Sequence, residues 1–468
     1  MLIYQSKLSP PDLKCFIHAG YYIGDICVKI PMHFNKHTGT MSARKRLPES
    51  SVGLIFIVLS LVAFSCVKDP TLPVLSTEPV TEITVNTAKI SGIISDDGGA
   101  EISARGFCWG TSADPTINDE IVPAGTGTGK YNGSLLNLQP NTGYHVRAFA
   151  ENSVGIAYGN DVAFETNMAP PVVTTAAVSA ITALTATCGG NVTYDGGAQI
   201  TAKGVCWSTT SEPDISGPHT EEGPGSGAFT SSLTSLSPAT VYYVRAYASN
   251  SSWTVYGEQQ TFRTKLTDIE GNLYNTVIVG TRLWMAENLR VVTLNDNSQV
   301  QNITDDAAWV VTTSPAYCWY NNDQSFKTTY GALYNWFTAN TGKLCPTGWH
   351  VPTDEEFSAL EIALGMATDQ AELWGWRGTD HGKKMKNQTG WDDNGNGTNS
   401  SGFSALPGGY RFGGDGQFFL QTTITYWWSA TEHDADRGWY RRIDSAGDQV
   451  YRASTSKKGG KYIRCVKD

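Results

Sequence analysis

Between residues 79 and 266, apolar and polar positions alternate in short runs broken by Gly, Pro, Asn and Asp. A period of two with frequent turn residues predicts antiparallel strands with one face buried and the other solvated. The pattern also repeats: "DGGAEISARGFCWGTSADP" at 97–115 returns as "DGGAQITAKGVCWSTTSEP" at 195–213, and "LQPNTGYHVRAFAENS" at 138–153 returns as "LSPATVYYVRAYASNS" at 236–251. Both pairs keep one offset, so the stretch holds two copies of an all-β module, at 79–168 and 169–266. From 267 to 468 the repeat stops and Trp, Tyr and Asn become frequent. A helix start stands out there: Thr353 precedes Asp354, Glu355 and Glu356, and Phe357, Leu360 and Leu364 follow at helical spacing. Thr353 can cap the helix, Glu356 can reach back to it, and the acidic residues suit the positive end of the helix dipole. Capping of this kind stabilises by about 1 kcal/mol, which accounts for the three carboxylates without any chemistry.

The chain opens on a different pattern. A basic start (Arg44, Lys45, Arg46) leads into an apolar run from Val52 to Phe64, then Ser65 and Cys66. That is the order of a secretory signal peptide, and the run is short for a membrane-spanning helix. A cysteine directly after it resembles the bacterial lipoprotein signal, in which this residue is lipidated and becomes the mature N-terminus. Ala63 stands where that signal usually has Leu, and Leu61 is displaced. The expectation is a signal peptide at 41–65, a lipidated Cys66 and a proline-rich linker at 66–78. Met41 sits where an initiator belongs, so residues 1–40 read as a gene-start artefact. Such a protein is expected in the outer membrane, held by its lipid and exposed at the cell surface.

Composition narrows the function classes. At 468 residues the chain is long enough for about three domains. Only 17% of residues are charged, and the net charge of -10 is spread along the chain with no basic patch. Nucleic acid is therefore not an expected partner.

Two resemblances follow from the motifs. Leu138, Pro140, Tyr144 and Val146, and their copies Leu236, Pro238, Tyr242 and Val244, resemble the tyrosine corner of fibronectin type III domains, which implies two antiparallel β-sandwiches. In the last region the segments "DIEGNLYNTVIVGTRLWMAENLR" (268–290), "YCWYNND" (317–323), "YGALYNWF" (330–337), "CPTGWHVPTDEEF" (345–357), "SGFSALPGGYR" (401–411), "YWWSATE" (426–432) and "IRCVKD" (463–468) resemble, in order, the Fibrobacter-type major paralogous domain. That family looks related to C-type lectins and formylglycine-generating enzymes. The implied fold class is mostly β: two sandwiches followed by an α+β, C-type-lectin-like domain. Family membership says little about activity, so function must be argued from the site.

In an oxidising compartment Cys345 has Cys465 as a structural partner, a pairing that would stabilise by roughly 4 to 5 kcal/mol; Cys318 is the alternative. Cys188 and Cys206 could pair across the second module, yet Cys108 in the first has no such partner, and a small buried residue suits all three equally. His350 lies between Trp349 and Val351 and reads as a packed core residue. Besides it the domain has only His381 and His433, too few neighbours for a zinc site. The run "WDDNGNGTNSSGF" (391–403) places Asp392, Asn394 and Asn396 at the alternate positions of a calcium loop, but Phe403 stands where the bidentate Glu would be. It is a candidate for Ca2+ or simply a turn, and no other cofactor is expected.

Of three functions, the first is a surface binding or adhesion domain carried on sandwich spacers. Aromatics among Trp319, Tyr320, Trp336, Trp427, Trp428 and Trp439, above all Trp319, Trp427 and Trp439, would then stack on an unknown surface ligand, glycan or protein. Neither EPN nor QPD, the tripeptides through which many C-type lectins hold calcium and sugar, occurs in the domain. The second is a structural part of a surface assembly with no small ligand. The third, an enzyme, would need the close cysteine pair of formylglycine-generating enzymes, and Cys465 has no neighbour in the last third of the domain. The chain is therefore read as a non-enzyme.

Overall fold

The computed structural model describes residues 69–468 and, before them, a pair of strands in which Gly20–Ile23 runs antiparallel to Ile26–Lys29. The signal segment 41–65 and Cys66 lie outside the described residues, as does the rest of 1–40. The described chain is mostly β and divides into two units, one ending at Ala169 and the other running from Pro170 to Asp468.

In the first unit Val74–Thr77 and Gly129–Leu135 pair on either side of Ala88–Asp96. A second sheet runs in the order Val162–Glu165, Gly143–Asn152, Ala104–Gly110, Glu120–Pro123. Alternate residues of both sheets, among them Ile90, Ile94, Phe107, Val146 and Ala148, meet in one core, as the period of two requires. The linker expected at 66–78 is corrected here. Val74–Thr77 is already a strand, and Thr77 Oγ1 accepts the Ala148 N–H at 2.9 Å. Pro70 and Pro73 lack an N–H, and pairing starts directly after them.

The second unit opens with the same layout: Val172–Thr175, Ala186–Tyr194 and Gly227–Leu233 in one sheet, and Ala202–Ser208, Val241–Ser249, Thr254–Tyr256 and Gln260–Arg263 in the other. Equivalent contacts recur. Tyr144 Oη accepts the Gln139 N–H at 3.0 Å, and Tyr242 Oη accepts that of Ser237 at 3.0 Å. Cys108 donates to the Pro115 carbonyl and Cys206 to that of Pro213. Cys108, Cys188, Cys206 and Cys318 are all buried free thiols. Burial pushes Cys108 and Cys206 up to about 11 and Cys318 up to about 12, so none is a ready nucleophile.

The rest of the second unit packs small sheets around one large one. Thr276–Val279, Arg282–Met285, Val466–Lys467 and Trp349–His350 form one sheet in that order, and the Cys345–Cys465 disulfide fastens its last segment. Helix α1 (Asp354–Ala363) starts in a full capping box between Thr353 and Glu356. The large sheet comprises β1 (Gly375–Arg377), β2 (Gly408–Arg411), β3 (Phe418–Gln421), β4 (Ile424–Glu432), β5 (Arg437–Asp444) and β6 (Val450–Ser456). Their spatial order is β1-β6-β5-β4-β2-β3, antiparallel except where β2 meets β4. Gly438 in β5 leaves room for Trp336, whose indole lies where a Cβ would be.

Candidate functional site

Successive residues of a strand point to opposite faces, and the large sheet uses its two faces differently. On the inner face Trp427, Ile443 and Val450 join the core with Phe357 and Leu360 of α1. Arg441 is fully buried among them. Its Nε donates to Glu361 at 2.8 Å and its Nη1 to Asp354 at 2.5 Å. Arg377 grips Glu361 through Nη1 and Nη2 at 2.6 and 2.9 Å, and Arg452 reaches Asp354 through Nε and Nη2 at 2.9 and 2.6 Å. Burial alone would raise the Asp354 pKa, but Arg441 and Arg452 outweigh it and hold the carboxyl below its ordinary value. Asp354 is thus an anchor for buried arginines and not only a charge at the helix start. Its place in the first turn of α1 stands as read, and the arginine contacts are added to it.

The outer face carries a row of rings that crosses the sheet in strand order. Trp376 of β1 meets Tyr451 of β6 at 5.0 Å between ring centroids, Tyr451 meets Tyr440 of β5 at 6.3 Å, and Tyr440 meets Tyr426 of β4 at 5.4 Å. The row continues from Tyr426 to Tyr410 of β2 at 4.7 Å, to Phe419 of β3 at 5.8 Å, and to Phe412 at 6.5 Å. Register explains the continuity, because Trp376 lies opposite Tyr451 and Tyr410 opposite Phe419, while Arg442 stands between Tyr426 and Tyr451. Trp376, Phe419 and Phe412 are 40%, 38% and 46% exposed, and Tyr410 and Tyr451 are half-buried. Hydroxyls of Tyr410, Tyr440 and Tyr451 have no hydrogen-bond partner among the described residues.

Two cations are set into this row. Arg442 lies over Trp376, Tyr451 and Tyr426 at 5.1 to 5.7 Å and pairs with Asp444 at 2.9 Å. Lys461 is buried, with Nζ 4.5 Å from the Trp428 ring, 4.8 Å from Tyr426, 5.0 Å from Tyr440 and 5.8 Å from Tyr410. It has no acceptor among the described residues, and burial pushes its pKa down to about 7. Among the described residues, ring faces are what compensate for its lost water.

Trp319 and Trp427 do not belong to this surface, which corrects their reading as stacking residues. Trp427 donates its indole N–H to Asn288 Oδ1 at 2.9 Å on the inner face, and Trp319 packs on Tyr317 at 5.3 Å. Tyr320, Trp336 and Trp428 are buried as well. Large indoles with a reachable acceptor fill cores. Trp439 alone of that set is half-buried, in a cluster with the exposed Trp374 at 4.6 Å and His433 at 5.0 Å, above Arg452. The rings that do line the outer face include one tyrosine from each of "ITYWWSATE", "RGWYRRID" and "VYRASTS", beside the inward-facing Trp427, Arg441 and Val450. Strand alternation assigns each tyrosine a face but does not show that the three line up.

The remaining candidates resolve as follows. His350 is 36% exposed, with Nδ1 2.5 Å from Asp468 and Nε2 2.8 Å from Glu356, whose other oxygen meets Arg282 at 2.8 Å. It is a surface ion-pair residue, a correction to its reading as core: Trp349 turns inward, so the next side chain turns out. Asp392, Asn394 and Asn396 are exposed; Asn396 Oδ1 accepts the Trp391 N–H at 3.0 Å, and Asp392 accepts from the Thr422 hydroxyl. Asp393 and Asn394 have φ of 56° and 58°. These bonds, one within the loop and one to Thr422, favour a turn over a calcium loop.

Residues 277–467 match the family model described as the Fibrobacter succinogenes major domain. No curated protein matches the chain. Among solved structures, the sensor domain of the anti-sigma factor RsgI4 of Pseudobacteroides cellulosolvens is 16% identical, covers 20% of this chain and 94% of its own, and has a TM-score of 0.17. A likeness at that level supports no functional conclusion.

Proposed function

We propose that the chain is a lipid-anchored surface protein of a bacterial envelope, in which two fibronectin-like β-sandwiches space a lectin-like binding domain away from the membrane. The outer face of the large sheet is the binding surface, and an extended polysaccharide chain is its ligand. One observation carries this reading: an unbroken row of rings crosses every strand of one sheet, with exposed rings at both ends. Aromatic faces stack on the C–H faces of sugars, and unpaired tyrosine hydroxyls can bond their hydroxyls. Tilts of 30° to 77° between neighbouring rings of the row suit a twisted single chain better than a flat crystalline surface. Arg442 is balanced by Asp444, which suits an uncharged polymer. The middle of the row, Tyr426 and Tyr440, is packed into the core, while Trp376, Phe419 and Phe412 leave apolar rings exposed at its two ends.

No catalytic role is proposed. Cys465, the cysteine that an oxidase of the related enzyme fold would need as one of a pair, is joined to Cys345. The alternative, a structural part of a surface assembly, would use the same face against protein. Affinity electrophoresis through gels containing neutral polysaccharides distinguishes the two. Retardation that Trp376→Ala removes is the expected result; folded protein that no polysaccharide in a broad panel retards would sink the proposal.

A further inference from the structure

A cleft of about 430 Å3, away from the outer face, is lined by Asn275, Thr276, Glu287, Asn288, Ser404 and Arg464, among others. Arg464 is 1% exposed. Its Nε donates to Asn288 Oδ1 at 2.8 Å, its Nη2 to the Ser404 carbonyl at 3.2 Å and its Nη1 to the Phe403 carbonyl, and its plane lies against the Phe403 ring. All three acceptors are neutral, and among the described residues no carboxylate stands within ion-pair distance. This contrasts with Arg377 and Arg441, which are equally buried but held by carboxylates.

The carboxylate that lines the cleft is committed elsewhere. Glu287 Oε1 accepts from Asn275 at 2.5 Å, and Oε2 faces Arg290 at 3.5 Å. Glu287 is therefore taken up by Asn275 and Arg290, which leaves Arg464 a buried positive charge without a paired counter-ion, the state that buried charges ordinarily avoid. A second observation points to the same space. Thr276, which lines the cleft, has a hydroxyl with no hydrogen-bond partner among the described residues.

We propose that this cleft is a binding site for a small carboxylate. Arg464 has five N–H groups and uses three, so one remains on each Nη, a fork that matches two carboxylate oxygens. The Thr276 hydroxyl supplies a further donor. The volume suits a small acid or one sugar-acid unit and is too small for a polymer. Two sources share this chemistry, a free dicarboxylic acid and a uronate unit.

Calorimetric titration of the full chain with succinate, galacturonate and galactose tests the proposal. Binding of succinate assigns a free acid and binding of galacturonate alone assigns a sugar acid; either supports the site, with affinity that falls as salt rises. If neither acid binds, or galactose binds as well as they do, the site is refuted. Arg464→Gln can fail to fold, so Thr276→Asp is the second arm: it places a carboxylate in the cleft. It is expected to raise the thermal midpoint of the unliganded protein and weaken acid binding by about tenfold or more. Unchanged acid affinity in folded Thr276→Asp would overturn the proposal.

Discussion

The inner and outer faces of the large sheet come from the same strands, yet one buries charge and the other displays rings. Inside, Arg377, Arg441 and Arg452 are held by Asp354 and Glu361 of α1. Outside, Trp376, Phe419 and Phe412 are left more than a third exposed. The inner residues are fixed by the fold, because removing one partner strands the other in a low-dielectric site. Tyr426 and Tyr440 in the middle of the row belong to the core and help hold Lys461, whereas Trp376, Phe419 and Phe412 stand outside it, so a ligand is the better account of the exposed rings.

The largest effect is expected inside. Arg441→Ala leaves Asp354 and Glu361 short of a counter-charge and should lose about 3–5 kcal/mol in urea unfolding. Trp376→Ala on the outer face should change stability by less than about 1 kcal/mol. Comparable losses in the two variants would erase the distinction between the faces.

Lys461 is the outer face's exception, a buried charge held by rings alone, and pH isolates it. An unfolded lysine keeps its proton to about 10.5, whereas Lys461 in the folded chain releases it at about 7. Between those values the unfolded state binds more protons, so stability rises with pH, by roughly 2–4 kcal/mol from pH 7 to 10. Lys461→Met should flatten that slope in thermal melts across the same range. A slope that survives the substitution would assign it to other groups.

The inner face was partly legible in the sequence, and the outer face was not. The capping box at Thr353 and Glu356 is local and reads directly from four residues. Repeats and strand alternation are equally local, so the two copies of the module read from the sequence, although the first strand, Val74–Thr77, falls in the stretch read as a linker. The arginine anchors are not local: they come from residues 377, 441 and 452 to reach one helix. The row of rings needs the strand order β1-β6-β5-β4-β2-β3, which no period reveals. Size also misled. Tryptophan was favoured as the stacking residue, although an indole with a buried acceptor, such as Trp427 on Asn288, is good core material. Lys461 follows "SKKGG" and looks like part of a solvated charge run, and only the fold over Trp428 and Tyr426 buries it.

A smaller effect tests the ligand side of the comparison. Trp376→Ala should weaken polysaccharide binding by about tenfold, some 1.4 kcal/mol, with an unfolding midpoint close to that of the parent. Trp427→Phe on the inner face should do the reverse, destabilising the domain through Asn288 while leaving affinity unchanged in whatever remains folded. Affinity lost equally in both variants would mean that the outer row is not the binding surface.

The smallest effect is expected at the rim, where the same helix start carries a charge pair in water. Glu356, two residues from the buried Asp354, is shared by Thr353, His350 and Arg282. Burial would lower the His350 pKa, but the hydrogen bonds that its ring makes to Asp468 and Glu356 outweigh it and raise it above 6.5. A raised histidine contributes its stability below the unfolded pKa and loses it as pH rises through the folded one. Because His350 is partly exposed, solvent limits the contribution to at most about 1 kcal/mol. His350→Gln should therefore differ from the parent at pH 5.5 and match it by pH 8.5, as read by urea midpoints. A gap that widened with pH would reverse the sign, and one as large as that of Arg441→Ala would mean that burial is not what separates strong charge pairs from weak ones in this domain.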